Sequence, residues 1–139
     1  MERIVLDTNV VLMSIAPKSN YRKIWEDFLN GKYYLCITNE IVEEYSEILA
    51  KHASPVVSDY IVNTILTRDN VIFVDPHFRC KLIEADPDDN KFVDCAIAAN
   101  ARFLVTEDHH FNVLKSIPFP SVSVINIDEF LAELESKFS

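Results

Sequence analysis

The sequence predicts an α/β fold: a mainly parallel central sheet with helices on both faces. Two observations carry that prediction. Short, branched, apolar runs alternate along the chain with stretches of helical periodicity, and this alternation generates parallel sheets whose strands are buried on both sides. The 139 residues are 49% apolar, enough for one domain over residues 1–139 whose core needs neither disulfides nor a structural metal.

The elements follow in order. Arg3 to Leu6 is short, branched and apolar, a buried strand, and a short helix comes after it. Tyr21 to Asn30 places Ile24, Trp25, Phe28 and Leu29 on one helical face, and Gly31 stands where a C-terminal cap belongs. Tyr33 to Ile37 is a second strand. Thr38 caps a helix running to about Lys51, with Ile41, Val42, Tyr45, Ile48 and Leu49 facing inward. Ser54-Pro55 joins a cap to a proline at the first helical position, where an amide would have no partner anyway, and that helix continues to about Thr67.

Val71 to Val74 is a third strand, and Asp75 to Pro87 a polar loop. Asp86-Pro87-Asp88-Asp89 opens the next helix, with Asp86 as its cap and acids in its first turn, where the helix dipole favours them. It runs to about Ala101. Phe103 to Thr106 and Val122 to Ile125 are the last strands, and Asn126 with Glu129 forms a capping box for a helix over Ile127 to Phe138.

Composition removes several function classes. The chain has one glycine, Gly31, so neither a phosphate-cradling P-loop nor a dinucleotide-binding turn can be built, since both need several glycines. Cys36, Cys80 and Cys95 are odd in number and widely spaced, matching no disulfide framework and no CxxC metal site. With no apolar run of membrane-spanning length and no charged-then-apolar leader, the expectation is a protein of the reducing cytoplasm with no membrane partner. The net charge of -9 is unusual for a nucleic-acid partner, so any nucleic acid must be held by local basic residues and bound cations.

Four acids stand out. Asp7 follows Ile4-Val5-Leu6, Glu44 lies in Glu40-Ile41-Val42-Glu43-Glu44-Tyr45, Asp94 sits within Phe92-Val93-Asp94-Cys95-Ala96-Ile97-Ala98-Ala99, and Asp108 follows Leu104-Val105-Thr106-Glu107. A carboxylate in apolar surroundings is costly unless paired or bound to a cation. Ligands in parallel sheets bind at the carboxyl ends of strands, where Asp7 and Asp108 fall. Converging carboxylates suit Mg²⁺ or Mn²⁺, which prefer oxygen ligands, and so suit a metal-dependent nuclease. Each acid alone has a plainer role: Asp7 as a helix cap, Glu44 on a solvated glutamate face, Asp94 on a narrow wet stripe with Lys91, Asp108 in a turn. Asp89 belongs to a first helical turn, or adds an outer carboxylate. His109-His110 suggests zinc, but no Cys or His stands at ligand spacing from them. No serine lies in a nucleophile elbow, and no cysteine has an evident base partner.

The order Ile4-Val5-Leu6-Asp7-Thr8-Asn9-Val10, Glu44, Asp94-Cys95-Ala96-Ile97-Ala98-Ala99 and Leu104-Val105-Thr106-Glu107-Asp108 resembles PIN-domain ribonucleases over nearly the whole chain. Asp86-Pro87-Asp88-Asp89-Asn90-Lys91-Phe92 is similar to the branch that supplies toxins of toxin–antitoxin pairs. The resemblance implies an α/β/α sandwich and Mg²⁺- or Mn²⁺-dependent endonucleolytic cleavage of RNA, leaving a 5′-phosphate and a 3′-hydroxyl. It carries the family's acids onto Asp7, Glu44 (with Glu43 and Glu40 as other registers), Asp94 and Asp108, with Thr8, Asn9 and Thr106 as polar lining. It also implies an antitoxin whose tail covers the site, often through an arginine. Glu107 departs from the small or basic residue common there, leaving open which acid of the 107–108 pair points inward.

On that basis Asp7, Asp94 and Asp108 are the expected metal ligands, and Glu44 a ligand or the group that orients water. Asp89 lies further out. Lys18, Arg22 and Lys23, after the first strand and its helix, are candidate RNA contacts. Pairing with a second copy is left open. The alternatives are a housekeeping RNA-processing nuclease of the same fold, a catalytically inactive interaction module, which the presence of all four acids opposes, and a phosphotransfer receiver. The receiver is opposed by the lone acid after the first strand and by the lack of a lysine after Val122 to Ile125.

Overall fold

The computed structural model describes residues 1–76, 89–117 and 122–138. The sheet has five parallel strands in the order β3-β2-β1-β4-β5. They are β1 (Arg3–Leu6), β2 (Tyr34–Ile37), β3 (Val71–Phe73), β4 (Phe103–Val105) and β5 (Val124–Ile125). Helices α1 (Thr8–Ile15) and α2 (Arg22–Leu29) separate β1 from β2, and α3 (Asn39–His52) and α4 (Pro55–Thr67) separate β2 from β3. Helix α5 (Asn90–Ala99) precedes β4, a 3-10 helix (His109–Ser116) follows it, and α6 (Ile127–Phe138) closes the chain.

Successive strand side chains point to opposite faces, yet Ile4, Val5, Leu6, Leu35, Cys36, Ile37, Phe103, Leu104 and Val105 are all buried. Both faces of the central strands are therefore covered, as the near-continuous apolar runs require. Helix α5 lies against β1, β2 and β4 and touches α3, which packs on α4. Helix α2 contacts α1 and α6, and Tyr33 meets Phe28 at 6.2 Å and Phe130 edge-on at 5.4 Å between ring centroids. No helix among the described residues is long and apolar enough to cross a membrane.

The caps read from sequence are present. Thr38 Oγ1 accepts from the Ile41 amide at 3.2 Å and Ser54 Oγ from Val57 at 3.0 Å. Asn126 and Glu129 exchange reciprocal bonds of 3.0 and 2.7 Å. Gly31 takes a left-handed φ of 73° just after α2, as its place past the helix end demands.

Some elements differ from expectation, and one expected cap falls outside the described residues. Helix α5 stops at Ala99 because Asn100 turns left-handed at φ 52° and the Ala101 amide reaches back to the Ala96 carbonyl at 2.9 Å, a helix-ending motif that asparagine tolerates. The 3-10 helix after β4 has no strong apolar period to announce it. The proposed cap Asp86 and its Pro87-Asp88 lie outside the described residues; the cap position next to α5 is Asp89, whose side chain makes no capping bond.

One buried amide ties the sheet's edge to α2. Asn70 Nδ2 donates to the carbonyls of Phe28 at 2.8 Å and Tyr33 at 2.9 Å, and the Asn70 carbonyl accepts from Leu35 at 2.9 Å. Replacing Asn70 by Ala removes a buried donor from both carbonyls, of which Phe28's keeps the Gly31 amide at 3.0 Å. The expected loss is about 2–3 kcal/mol of unfolding free energy, read by urea denaturation with an unchanged m-value.

Candidate metal centre

Sheet order places β1 and β4 side by side, although β2 and β3 lie to one side of β1 and β5 to the other. This is the topological switch point, where a crevice opens beyond the carboxyl ends of the strands. Asp7 stands there, one residue past β1, with its amide on the Val105 carbonyl at 2.9 Å. Its carboxylate is buried and divided between two tasks. Oδ1 accepts from the Thr8 amide at 2.7 Å, capping α1, and Oδ2 accepts from the Thr106 hydroxyl at 2.7 Å. The capping role and the candidate ligand role thus coexist in one residue.

Thr106 links the neighbouring strand ends, because its Oγ1 also accepts from the Asp108 amide at 3.0 Å. Asp108 Oδ1 accepts from the His110 amide at 2.9 Å and so starts the 3-10 helix. Glu107 turns the other way and is exposed, its Oε1 accepting from the Ile127 amide at the start of α6 at 2.7 Å. Asp108, not Glu107, is the acid of that pair whose charge is felt at Asp7.

The third side comes from α3 and α5. Glu44 is half-buried while Glu40, Glu43 and Glu47 are exposed, which selects Glu44 among the registers the glutamate run allowed. It accepts a hydrogen bond from the hydroxyl of buried Thr8, and its other oxygen pairs with Lys91 Nζ at 2.8 Å. Asp94, one turn beyond Lys91 on α5, is 5% exposed among the core residues Val93, Cys95 and Ala96. Asn9 is exposed on α1.

The sequence reading named two groups without their partners. Lys91, read only as a neighbour of Asp94 on a narrow wet stripe, is brought to Glu44 by the approach of α5 to α3. His110, which had no partner at ligand spacing, meets Asp108 Oδ1 at 3.3 Å and Asp89 Oδ2 at 3.8 Å. Conversely, Arg22 is held by Glu26 and the Ile15 carbonyl and lines an apolar groove with Trp25 and Tyr60, while Lys23 pairs with Asp27 at 3.2 Å. Lys18 is exposed beyond α1. The two described thiols offer no nucleophile: burial pushes Cys36 up to about 11 and Cys95 higher still.

Burial raises the Asp7 carboxyl above the ordinary carboxylate range. The bonds from Thr106 and Thr8 oppose that rise, and the charges of Glu44 and Asp108 add to it. A desolvated acid beside two further carboxylates, in a crevice lined by hydroxyls, is an all-oxygen donor set lacking sufficient positive charge. It fits a hard dication such as Mg²⁺ or Mn²⁺.

A family model described as the PIN domain matches residues 3–110. Among solved structures, the chain is similar to VapBC2 from Rickettsia felis bound to a promoter DNA fragment, at 19% identity and a TM-score of 0.60 over 89% of this chain and 98% of that one. DNA-bound VapBC from Salmonella typhimurium gives 18% identity and 0.57 over 91% and 99%. The RRP44 PIN domain of T. brucei gives 12% and 0.53 over 97% and 82%. No curated protein sequence matches the chain.

The raised Asp7 carboxyl has a consequence for stability. The folded chain holds this proton more tightly than the unfolded chain, so stability falls as pH rises from the unfolded value of 3.8 through the folded one. In chelator at pH 7, Asp7→Asn should therefore melt above the wild type, and the difference should shrink toward acid pH. Added Mg²⁺ should stabilise the wild type more than the variant. Thermal melts across pH with and without Mg²⁺ check this; a variant that melts below wild type in chelator would show that the carboxylate is not strained.

Proposed function

The chain belongs to the PIN domain family, and from that premise we propose that it is a divalent-metal-dependent endoribonuclease, the toxin of a toxin–antitoxin pair. The observation that carries the proposal is the acidic crevice at the β1–β4 switch point, with Asp7 desolvated beside Glu44 and Asp108. The similarity to VapBC structures supports the toxin assignment.

Asp7, Asp94 and Asp108 hold Mg²⁺ or Mn²⁺ in this reading. A cation held there would supply a water of lowered pKa and positive charge beside the scissile phosphate. The remaining work falls to the chain's own groups. Thr106 and the Thr8 amide fix the two oxygens of Asp7, so that the carboxylate does not reorient when substrate enters. Glu44, gripped by Thr8 and Lys91, is oriented to accept a proton from the attacking water. Lys91 brings positive charge to a molecule whose net charge of -9 would otherwise repel RNA. In-line attack leaves a 5′-phosphate and a 3′-hydroxyl.

A basic antitoxin segment is the partner that this crevice suits. A guanidinium bridges carboxylates with paired hydrogen bonds and so competes with the cation for the same oxygens.

Single-stranded RNA should be cleaved with Mg²⁺ or Mn²⁺, and chelation should abolish cleavage; activity that survives exhaustive chelation rejects the proposal. Asp7→Asn and Asp94→Asn should each remove most turnover in a folded protein. Thr106→Val, which keeps shape but frees Asp7 Oδ2, should lower activity or metal affinity about 10–100-fold. With an arginine-bearing cognate antitoxin peptide titrated at several Mg²⁺ levels, inhibition should weaken as Mg²⁺ rises. Inhibition indifferent to Mg²⁺ places the antitoxin away from the carboxylates.

A further inference from the structure

The stretch after β4 winds as a 3-10 helix over His109–Ser116, long for a conformation used mostly in short pieces. About three residues make one turn of such a helix, so positions three apart eclipse on one face. The face through Phe111 and Leu114 is buried. The face through His109, Asn112 and Lys115 is exposed, and all three line one pocket. We propose that this pocket holds the base of the nucleotide beside the scissile phosphate and that it selects guanine. The inference rests on the nuclease reading and deepens it by naming the nucleotide next to which the centre cuts.

This row of side chains is uncommitted. Among the described residues, Asn112 and Lys115 make no side-chain hydrogen bond or ion pair. The His109 ring makes none either and stands edge-on to His110 at 4.8 Å between centroids. Arg22, Lys23 and Lys91, by contrast, are each taken up by a carboxylate. A helix face that presents imidazole, amide and ammonium in line, with no protein partner for any of them, has its donors to offer a ligand.

The pocket encloses about 290 Å³, near the lower end for ligand sites. It adjoins the metal centre, because Thr106, whose hydroxyl bonds Asp7 Oδ2, also lines it. Val124 and Ile125 of β5, both half-buried, supply apolar lining. Apolar surface for a face and polar groups for an edge are what an unstacked base requires, and an imidazole such as His109 gives it a ring to stack on. Charge rejects a phosphate in the same space. Glu107, Asp108 and Glu129 line the pocket against the one lysine, Lys115, so the guest must bring N–H donors rather than further negative charge.

Chemistry then sets the base. Guanine alone among the four presents two adjacent donors, N1–H and the N2 amino group, to a single carboxylate, and its O6 and N7 acceptors suit a lysine. Glu107 is the carboxylate available for this. Its Oε1 is held by the Ile127 amide at 2.7 Å, which fixes the group in place, and Oε2 makes no bond among the described residues. Glu129 is committed to its reciprocal cap with Asn126. Lys115 and Asn112, across from Glu107 in the chain's order of elements, supply the donors for the acceptor side of the base.

The test is binding of nucleoside monophosphates to the full chain in Mg²⁺, where there is no phosphodiester to cut, read by NMR. GMP should shift the Asn112 side-chain amide and bind at least about fivefold tighter than AMP, CMP or UMP. Inosine monophosphate, which lacks the N2 amino group, should bind wild type about fivefold more weakly than GMP; this comparison needs no variant and so covers the case in which a variant does not fold. In Glu107→Gln the two should bind alike, and in Lys115→Ala GMP should weaken while the difference between the two persists. Equal affinity of wild type for GMP and inosine monophosphate, an unmoved Asn112 amide, or a folded Glu107→Gln that still tells the two apart overturns the proposal. RNA cleavage is scored separately. Cleavage in Mg²⁺ with no guanine at a fixed position beside the cut removes this inference and spares the nuclease. A Glu107-dependent preference for GMP without cleavage in any metal keeps the pocket and rejects the nuclease.

Discussion

The structure turns on a carboxylate buried where two neighbouring strands end. Asp7 stands at the end of β1, where the strand order reverses: β2 lies to one side and β4 to the other, and the crevice beyond such a switch point admits a polar ligand. Placing an acid there has a cost in stability. That cost is limited by Thr106 on the adjacent strand and by the amide of Thr8, both delivered by elements that β1 and β4 already position. The parallel register of β1 on β4, with Leu6 opposite Val105, brings the Asp7 and Thr106 side chains together. A slip of that register would separate them and leave the acid unsupported.

Charge is arranged on two scales. Over the whole chain the balance is -9, which disfavours long-range attraction of a polyanion. Within the crevice the balance is local: Lys91 pairs with Glu44, while Arg22 and Lys23 pair with Glu26 and Asp27 along α2. On the proposed reading, bound cations would serve the attraction of phosphate as well as the chemistry, and the same acidity would complement a basic peptide.

Much of this was legible in the sequence, for a physical reason. Caps, apolar periodicity and strand-ending acids are local signals, and Thr38, Ser54-Pro55, Asn126 with Glu129, and Asp7 all declare themselves within a few residues. The architecture followed because alternating strands and helices allow few topologies. What stayed hidden depends on contacts between distant segments. Glu44 could be separated from Glu40 and Glu43 only by the rotation of α3 about its axis. The roles of Glu107 and Asp108 diverge because Ile127, far along the chain, claims one of them. The end of α5 shifted by two residues because Asn100 supplies a left-handed cap that the alanine-rich pattern around it does not announce.

The acids and their supports sit mainly at the starts and ends of elements: Asp7 between β1 and α1, Asp89 before α5, Thr106 and Asp108 after β4. Element ends are where backbone amides lack partners, and the side chains that satisfy them are the short polar ones that also bind cations. Capping and ligation therefore draw on the same residues. Asp108 shows the overlap most directly, since one oxygen both starts the 3-10 helix and faces His110 Nδ1. Loss of its charge would loosen the helix start and the donor set together. At Asp7 the two properties move in opposite directions, because its desolvation outweighs what its cap contributes. The effects of the acids on stability thus diverge even though they share one crevice: where capping dominates, as at Asp108, removal weakens the fold, and where burial dominates, as at Asp7, removal relieves it.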